Sequence, residues 1–194
     1  MDERAQAALD FWFGAPGTPE HGQKRPEWFR KDAAFDAETA ARFGALIELA
    51  LAGGLRDWAS AGAQSALARI LLLDQFTRNA FRGTAKSFAG DALALQAAQA
   101  MVAAGTDLEL PPMQRWFVYL PYEHAESIAM QYESLRLFGA LGQADASLAS
   151  EMDYAHRHRD IILRFGRFPH RNDILGRESI AEELAFLQEP GSSF

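Results

Sequence analysis

Six arginines and three histidines lie between His156 and Arg177, beside only two aspartates. This segment has a formal charge of +4, whereas the whole chain carries −7 and the remainder therefore −11. Histidine side chains exchange protons near neutral pH, and arginine side chains bind planar carboxylate and phosphate groups. A basic segment of this kind in an acidic chain predicts a localised site for an anion or for acid/base chemistry.

The helix predicted for residues 144–165 turns part of this segment inward. At about 100° per residue, His158 and Arg159 fall on the apolar arc that includes Leu148 and Ile162. A buried Arg without a partner costs several kcal/mol, so it must meet a carboxylate or line a wet cavity. We therefore expect Arg159 to be mostly buried and to contact a carboxylate of another helix.

Two further predicted helices place ionisable groups on apolar faces. Asp74 lies in the middle of one such face, which Arg78 extends if the helix continues that far. His124 lies on the apolar stripe of another helix, with Glu123 at its edge and Glu126 farther round. Because three separate helices do this, we expect one shared polar centre, with Asp74 or Glu123 as the partner of Arg159.

Two interpretations of the polar centre stay open, a buried structural network and a ligand pocket closed by the loop that follows the helix. In the pocket interpretation the tentative catalytic groups are His124, His158 and Glu123. The predicted ligand-binding residues are Asp74, Arg78, Glu126, Arg159, Arg167, His170 and Arg171. We expect the last three of these to lie near Glu123 and His124 in space.

Other motifs of metal or nucleotide chemistry are weak or missing. His156-x-His158-x-Asp160 matches the start of a metal-binding motif, but side chains two residues apart diverge by about 200° on a helix. Glu123-His124 does not extend into HExxH, and the chain contains no phosphate-binding glycine loop and no GxSxG elbow. We predict no metal and no organic cofactor, and we leave open whether any reaction is catalysed.

The elements that must position these residues are helices, since apolar residues recur mostly every three or four positions. The predicted helices are, in chain order, 2–13, 32–52, 64–76 (extending to 79), one ending before Gly105, one from Pro111-Pro112 to Phe138, 144–165, and one ending at Leu187. Pro121 should kink or split the fifth of them. Gly166 is a candidate left-handed cap, and Ser179 with Glu182 matches a capping box.

Composition excludes several classes of protein. The 194 residues are 48% hydrophobic and include no Cys, so disulfides and thiolate metal sites are excluded. The chain has no apolar run of 18 residues and no apolar signal region at its start, which predicts a cytoplasmic protein without a membrane partner. The acidic balance argues against nucleic acid as a partner, and the oligomeric state stays open.

Three blocks of sequence resemble an uncharacterised bacterial family of unknown function. They are LDQFTRN at 73–79, YLPYEHAES at 119–127, and HRHRDII with RFGRFPHRN at 156–172; the segments 9–14 and 190–194 also look like that family. Thr77 departs from the pattern, which usually has Pro there, and this lets the helix continue through Arg78. The resemblance implies a tetratricopeptide-like all-α fold of stacked antiparallel helix pairs and brings no activity with it.

We therefore predict one all-α domain over residues 1–194, with about seven to nine helices. The predicted function is binding of a small phosphate or carboxylate compound in the Arg/His/Glu pocket, with acid/base catalysis left open. The alternative is an interaction module that holds a peptide or protein segment on a concave helical surface.

Overall fold

The structure is a computed structural model that describes residues 1–193; Phe194, the last residue of the closing block, lies outside them. Over residues 1–193 the chain forms eight α-helices and no β-strand. They are α1 Glu3–Phe13, α2 Ala33–Leu51, α3 63–80, α4 Asp91–Ala104, α5 Pro112–Glu123, α6 Ile128–Ala144, α7 Glu151–Phe165 and α8 Ala181–Phe186. The predicted all-α class and number of helices are confirmed, whereas the tetratricopeptide-like stacking stays a prediction.

Local signals set several helix ends. Asp2 and Asp32 cap α1 and α2, because each carboxylate accepts backbone N–H bonds from the first helical turn. The chain leaves α4 at Gly105 and α7 at Gly166, both in the left-handed conformation that glycine adopts without strain. The prediction of Gly166 as a left-handed cap is confirmed.

Helix α3 contains a wide π turn at Leu72–Phe76, between the α-helical segments Ala63–Leu71 and Thr77–Ala80. The Thr77 hydroxyl donates to the carbonyl of Leu72, five residues earlier, at 2.7 Å. As predicted, the helix runs on through Arg78. Such turns interrupt α-helices mostly as single turns and frequently occur at functional sites.

Aromatic side chains of the core pack against this π turn. Phe76 packs on Trp12 and Phe43, with ring centroids 5.3 and 4.9 Å away. Trp12 also meets Phe117 of α5 edge-on at 5.6 Å. Buried aromatic pairs of this kind add about 0.5–1.5 kcal/mol each beyond their burial. The core therefore fixes α3 relative to α5, the two helices that carry Asp74 and His124.

Helix α4 begins in close contact with the same turn. A methyl group on Gly90 would lie 2.0 Å from the carbonyl oxygen of Leu73, so only glycine allows the two backbones to approach this closely. This contact places Asp91, the first residue of α4, next to the end of α3.

The helix predicted from Pro111 to Phe138 is split, but beyond Pro121. Pro121 lies inside α5, which ends at Glu123, and α6 starts at Ile128 and runs on to Ala144. The buried Gln131 amide donates to the carbonyls of Glu123 and Ala125 at 2.7 and 2.9 Å. It therefore pairs the peptide oxygens that the break exposes, and fixes the end of α5.

Two predicted boundaries near the C-terminus need correction. The helix predicted for 144–165 begins only at Glu151, after a short 3₁₀ turn at Ala146–Leu148. The capping carboxylate of α8 is Glu183, which accepts the Ile180 N–H at 2.9 Å, and not the predicted Glu182. Over residues 1–193, no helix is long and apolar enough to cross a membrane.

Candidate functional site

A buried carboxylate and an imidazole meet where α3 faces the end of α5. Asp74 of the π turn is fully buried, and its Oδ1 lies 2.7 Å from Nδ1 of His124. Burial alone would raise the pKa of Asp74, but Arg78 and His124 together hold it below its ordinary value. The ionised carboxylate can only accept, so Nδ1 of His124 carries the proton and Nε2 is the basic nitrogen.

The imidazole of His124 is neutral at physiological pH. Burial, and then the charge of Arg78, lower its pKa, against the opposing effect of Asp74. Its side chain is nevertheless 14% exposed, whereas that of Asp74 is inaccessible. A buried carboxylate that orients a partly exposed, neutral imidazole is the arrangement expected of a general base.

Two arginines converge on Asp91 beside this dyad. Arg78 donates to both the carbonyl and the side chain of Asp74, at 2.9 and 2.8 Å, and its Nη2 donates to Asp91 Oδ2 at 3.1 Å. Arg171 donates from Nη1 to the same Asp91 oxygen at 3.1 Å. We call Asp74, Arg78, Asp91, His124 and Arg171 the site cluster.

Aromatic rings hold Arg171 in place. Its guanidinium carbon lies 4.6 Å from the centroid of Phe88 and 4.5 Å from that of Phe168, so cation–π attraction fixes it to two rings. Burial, reinforced by Arg78, lowers the pKa of Arg171 to about 10, which leaves the side chain charged at neutral pH. Its Nε, although buried, has no hydrogen-bond partner among residues 1–193.

Glu123 and His158 lie behind His124. The imidazoles of His124 and His158 are 6.2 Å apart between centroids. His158 donates from Nδ1 to the carbonyl of Tyr154 at 2.9 Å, and the same nitrogen lies 3.2 Å from Glu123 Oε1. Burial, and then repulsion from Glu151 and Asp74, raise the pKa of Glu123 to about 8. Glu123 is thus mainly protonated at neutral pH, and its Oε2 has no hydrogen-bond partner within the described residues 1–193.

The turn after α7 brings only part of the predicted basic group to the site. Arg171 belongs to the site cluster, and the charges of both Arg171 and His124 act on His170. Burial, and then Arg171, lower the pKa of His170 to about 4. Arg167, by contrast, directs its fork at Glu183, with two bonds of 2.7 Å, and its proximity to Glu123 and His124 stays a prediction.

Glu126 is likewise held by the C-terminal segment. It accepts the Phe168 N–H at 2.8 Å and binds both terminal nitrogens of Arg177 at 2.7 and 2.9 Å. Asn172 joins these pairs, since it accepts from Arg177 and donates to Glu183. We call Glu126, Arg167, Asn172, Arg177 and Glu183 the tail network.

The predicted partner of Arg159 is wrong, whereas its partial burial agrees with the prediction. Its side chain is 23% exposed and pairs with the adjacent Asp160, with Nε to Oδ1 at 2.9 Å, not with Asp74 or Glu123. Leu148, which helped to define the predicted inward arc, lies outside α7. The buried residues of α7 include Ala155, His158 and Ile162, and they centre the inward face about 80° away from Arg159.

Comparison with known proteins decides the family. Residues 8–191 match the family described as a bacterial protein of unknown function, DUF924. The chain belongs to this family. The resemblance of its sequence blocks to an uncharacterised bacterial family is thereby confirmed.

A solved structure shares the fold of this DUF924 chain. It is the protein of unknown function ATU0120 from Agrobacterium tumefaciens, which is 42% identical. The match covers 95% of this chain and 96% of that one, with a TM-score of 0.83. No curated protein matches the chain significantly. The family and its structural neighbour therefore establish the fold without an activity.

Asp91 is the main member of the site cluster that sequence reasoning missed. The signal is the pair Gly90-Asp91 at a helix start, but an acidic residue there is also favoured by the helix dipole alone. Phe88 carries no distinguishing signal, because exposed and buried aromatics look alike in a sequence. Among residues 1–193, no group of three or more His, Asp or Glu side chains is arranged to hold a metal ion.

Proposed function

We propose that this protein binds a small carboxylate or phosphate compound at the site cluster and that His124 exchanges a proton with it. The observation that carries this proposal is the 2.7 Å contact between fully buried Asp74 and partly exposed His124. A neutral imidazole with its basic nitrogen set by a buried carboxylate is suited to take a proton from a bound molecule.

The arginines supply the affinity for an anion in this proposal. Arg171 is charged and only 8% exposed, and its Nε–H lacks an acceptor in the described part of the chain, residues 1–193. A buried donor left unpaired costs about 1–3 kcal/mol, which an anionic oxygen within reach recovers. His170, the neighbour of Arg171 in the sequence, borders a cleft of about 590 Å³ that Arg177 and Leu184 also line, whereas no residue of the site cluster does.

Glu123 and His158 extend the proton chemistry inward. Glu123 is protonated at neutral pH because burial raises its pKa to about 8, so it holds a proton close to the His124–His158 pair. In this proposal Glu123 and His158 act as positioning groups that set the electrostatics of His124, and they do not touch the ligand themselves.

The test replaces Arg171 with Gln and measures melting temperatures with and without acetate, succinate and inorganic phosphate. A ligand at 100 times its Kd adds about 2.7 kcal/mol, which is about 5–11 °C for a chain of this size. We expect the variant to lose that shift. Arg164→Gln is the control, since Arg164 pairs with Glu182 on the exposed surface.

A second measurement addresses the proton. Calorimetry of anion binding in two buffers of different ionisation enthalpy reports proton uptake, which we expect in the wild type and not in His124→Asn. Unchanged anion response in Arg171→Gln together with a large loss of stability would instead make the cluster a structural network.

The alternative of a tetratricopeptide-like peptide-binding module has its own support. Leu184 of α8 is 54% exposed and borders that cleft, and Ile180, one turn earlier, is 57% exposed. A peptide held there would lose affinity on Leu184→Ser and would ignore Arg171→Gln. The cytoplasmic location remains part of the proposal, and cell fractionation tests it.

A further inference from the structure

Asp91 occupies the position that a bound anion would take between the two arginines. Its Oδ2 accepts from Arg78 Nη2 and from Arg171 Nη1, each at 3.1 Å. Its Oδ1 lies 2.9 Å from Arg78 Nη1. Both oxygens of one planar carboxylate thus face two guanidinium groups.

We propose that Asp91 is an internal competitor that a ligand carboxylate displaces, so that the site selects carboxylates over phosphates. This inference rests on the proposed function, because it names the ligand class and the regulation of the same site. In the protein without ligand, Asp91 keeps the arginine pair closed. When a carboxylate binds, Asp91 rotates away and the arginines stay in place.

The arginines are fixed by groups other than Asp91. Arg171 is held by the rings of Phe88 and Phe168, and Arg78 by the two hydrogen bonds that it donates to Asp74. The fork therefore keeps its geometry after Asp91 leaves, which is the preorganisation that lowers the entropic cost of binding.

Asp91 itself is held imperfectly. Its Oδ1 lies 2.9 Å from Arg78 Nη1 as an ion pair but accepts no hydrogen bond of good geometry from residues 1–193, and Arg171 donates only one bond to Asp91 while its Nε donates none within that range. An Arg side chain binds a carboxylate best through two parallel N–H bonds. A ligand carboxylate can make both with Arg171, whereas Asp91, attached to the first residue of α4, makes one.

Exchange requires little movement of the backbone. Asp91 is 21% exposed, so its side chain can rotate toward solvent. The start of α4 stays where it is, because Gly90 packs directly on the backbone of Leu73. The charge also balances, since one carboxylate replaces another beside Arg78 and Arg171.

The experiment measures acetate, succinate and inorganic phosphate binding to wild type and to Asp91→Asn by calorimetry. We expect the variant to bind acetate and succinate about tenfold more tightly or better, and phosphate with a smaller gain, since a charge-assisted hydrogen bond contributes about 1.5–3 kcal/mol. Asp36→Asn is the matched control, because Asp36 also pairs with an arginine fork, that of Arg82.

Each of the other possible results contradicts one named part of the proposal. If wild type binds anions and Asp91→Asn binds them no better, the competitor role is wrong while the proposed function stands. A gain for phosphate equal to that for acetate overturns the carboxylate preference. If neither protein binds any of the three anions, the proposed function fails as well.

A second variant distinguishes the loss of the competing carboxylate from a failure to fold. Asp91→Ser also suits a helix start and removes the carboxylate. If Asn and Ser variants both fail to fold at every acetate concentration, Asp91 is a structural residue and the inference is overturned.

Discussion

The site cluster and the tail network use the same residue types but differ in how fully their groups are paired. In the tail network each carboxylate oxygen of Glu126 and Glu183 accepts at least one hydrogen bond. In the site cluster, Arg171 Nε and Asp91 Oδ1 are buried without a hydrogen bond among residues 1–193, although Asp91 Oδ1 lies 2.9 Å from Arg78 Nη1. A fully paired network stabilises the fold, whereas one with unused donors is suited to receive a ligand.

The largest effect is expected where the site cluster is deepest. Asp74→Asn keeps the shape but removes the charge that faces Arg78 and His124, which should lower the free energy of unfolding by about 3–5 kcal/mol. Urea denaturation measures this loss. Because Asp74 orients both neighbours, the anion-induced shift in Tm should disappear too; a stable variant with an intact shift would contradict the role given to Asp74.

The second largest effect distinguishes the tail network from the site cluster. Glu183→Gln weakens the fork of Arg167 and should cost about 1.5–3 kcal/mol, lowering Tm by about 3–12 °C. The anion-induced shift should stay as in wild type, because Glu183 belongs only to the tail network. Thermal melts with and without acetate check this. Loss of the anion-induced shift in Tm would show that the tail network and the site cluster act as one network.

A third prediction concerns pH. The pKa of Glu123 is raised from 4.5 to about 8, so the folded protein holds this proton more tightly than the unfolded chain. The corresponding stability is complete below pH 4.5 and is lost as pH rises through about 8. Glu123→Gln keeps a neutral group, so its stability relative to wild type should increase between pH 5 and 9.

The size of that increase is about 1.4 kcal/mol for each pKa unit that the carboxyl is shifted. Urea denaturation at pH 5, 7 and 9 measures it. Glu38→Gln is the control, since the Glu38 side chain is 53% exposed on α2. Parallel curves for Glu123→Gln and wild type would show that Glu123 is ionised in the folded protein.

The smallest effect is expected at Arg159. Its pair with Asp160 is on the surface side of α7, and surface ion pairs contribute about 0–1 kcal/mol. Arg159→Ala should change Tm by no more than about 4 °C and leave the anion-induced shift intact. Loss of the anion-induced shift would instead show that Arg159 takes part in anion binding, as the sequence analysis predicted.

The sequence predicted the residues on regular helix faces better than those near breaks. His158 is buried as the helical spacing indicates, because a continuous helix keeps its phase. Arg159 was misplaced because Leu148 belongs to a separate turn, so the face was drawn in the wrong phase.

Local sequence patterns could not predict which side chains form ion pairs with residues far away in the sequence. Nothing near Arg167 or Arg171 in the sequence indicates that one binds Glu183 and the other Asp91, 80 residues away. Both follow the same turn, and their separation depends on how α4 and α8 pack, which is a tertiary property. The close approach of Gly90 to Leu73 is likewise visible only in three dimensions.

Because of the π turn at Leu72–Phe76, the arrangement of the site cluster depends on the number of residues in this segment as well as on their types. Its wider ring holds one residue more than an α-helical turn of the same span. Deleting one residue there should restore a regular α-helix with both flanking segments in place, and should turn the residues that remain in the turn to other faces. Asp74 would then no longer face His124, although both side chains remain in the protein. An alignment gap of one position inside this block would therefore mark a relative that has kept the fold and lost the site.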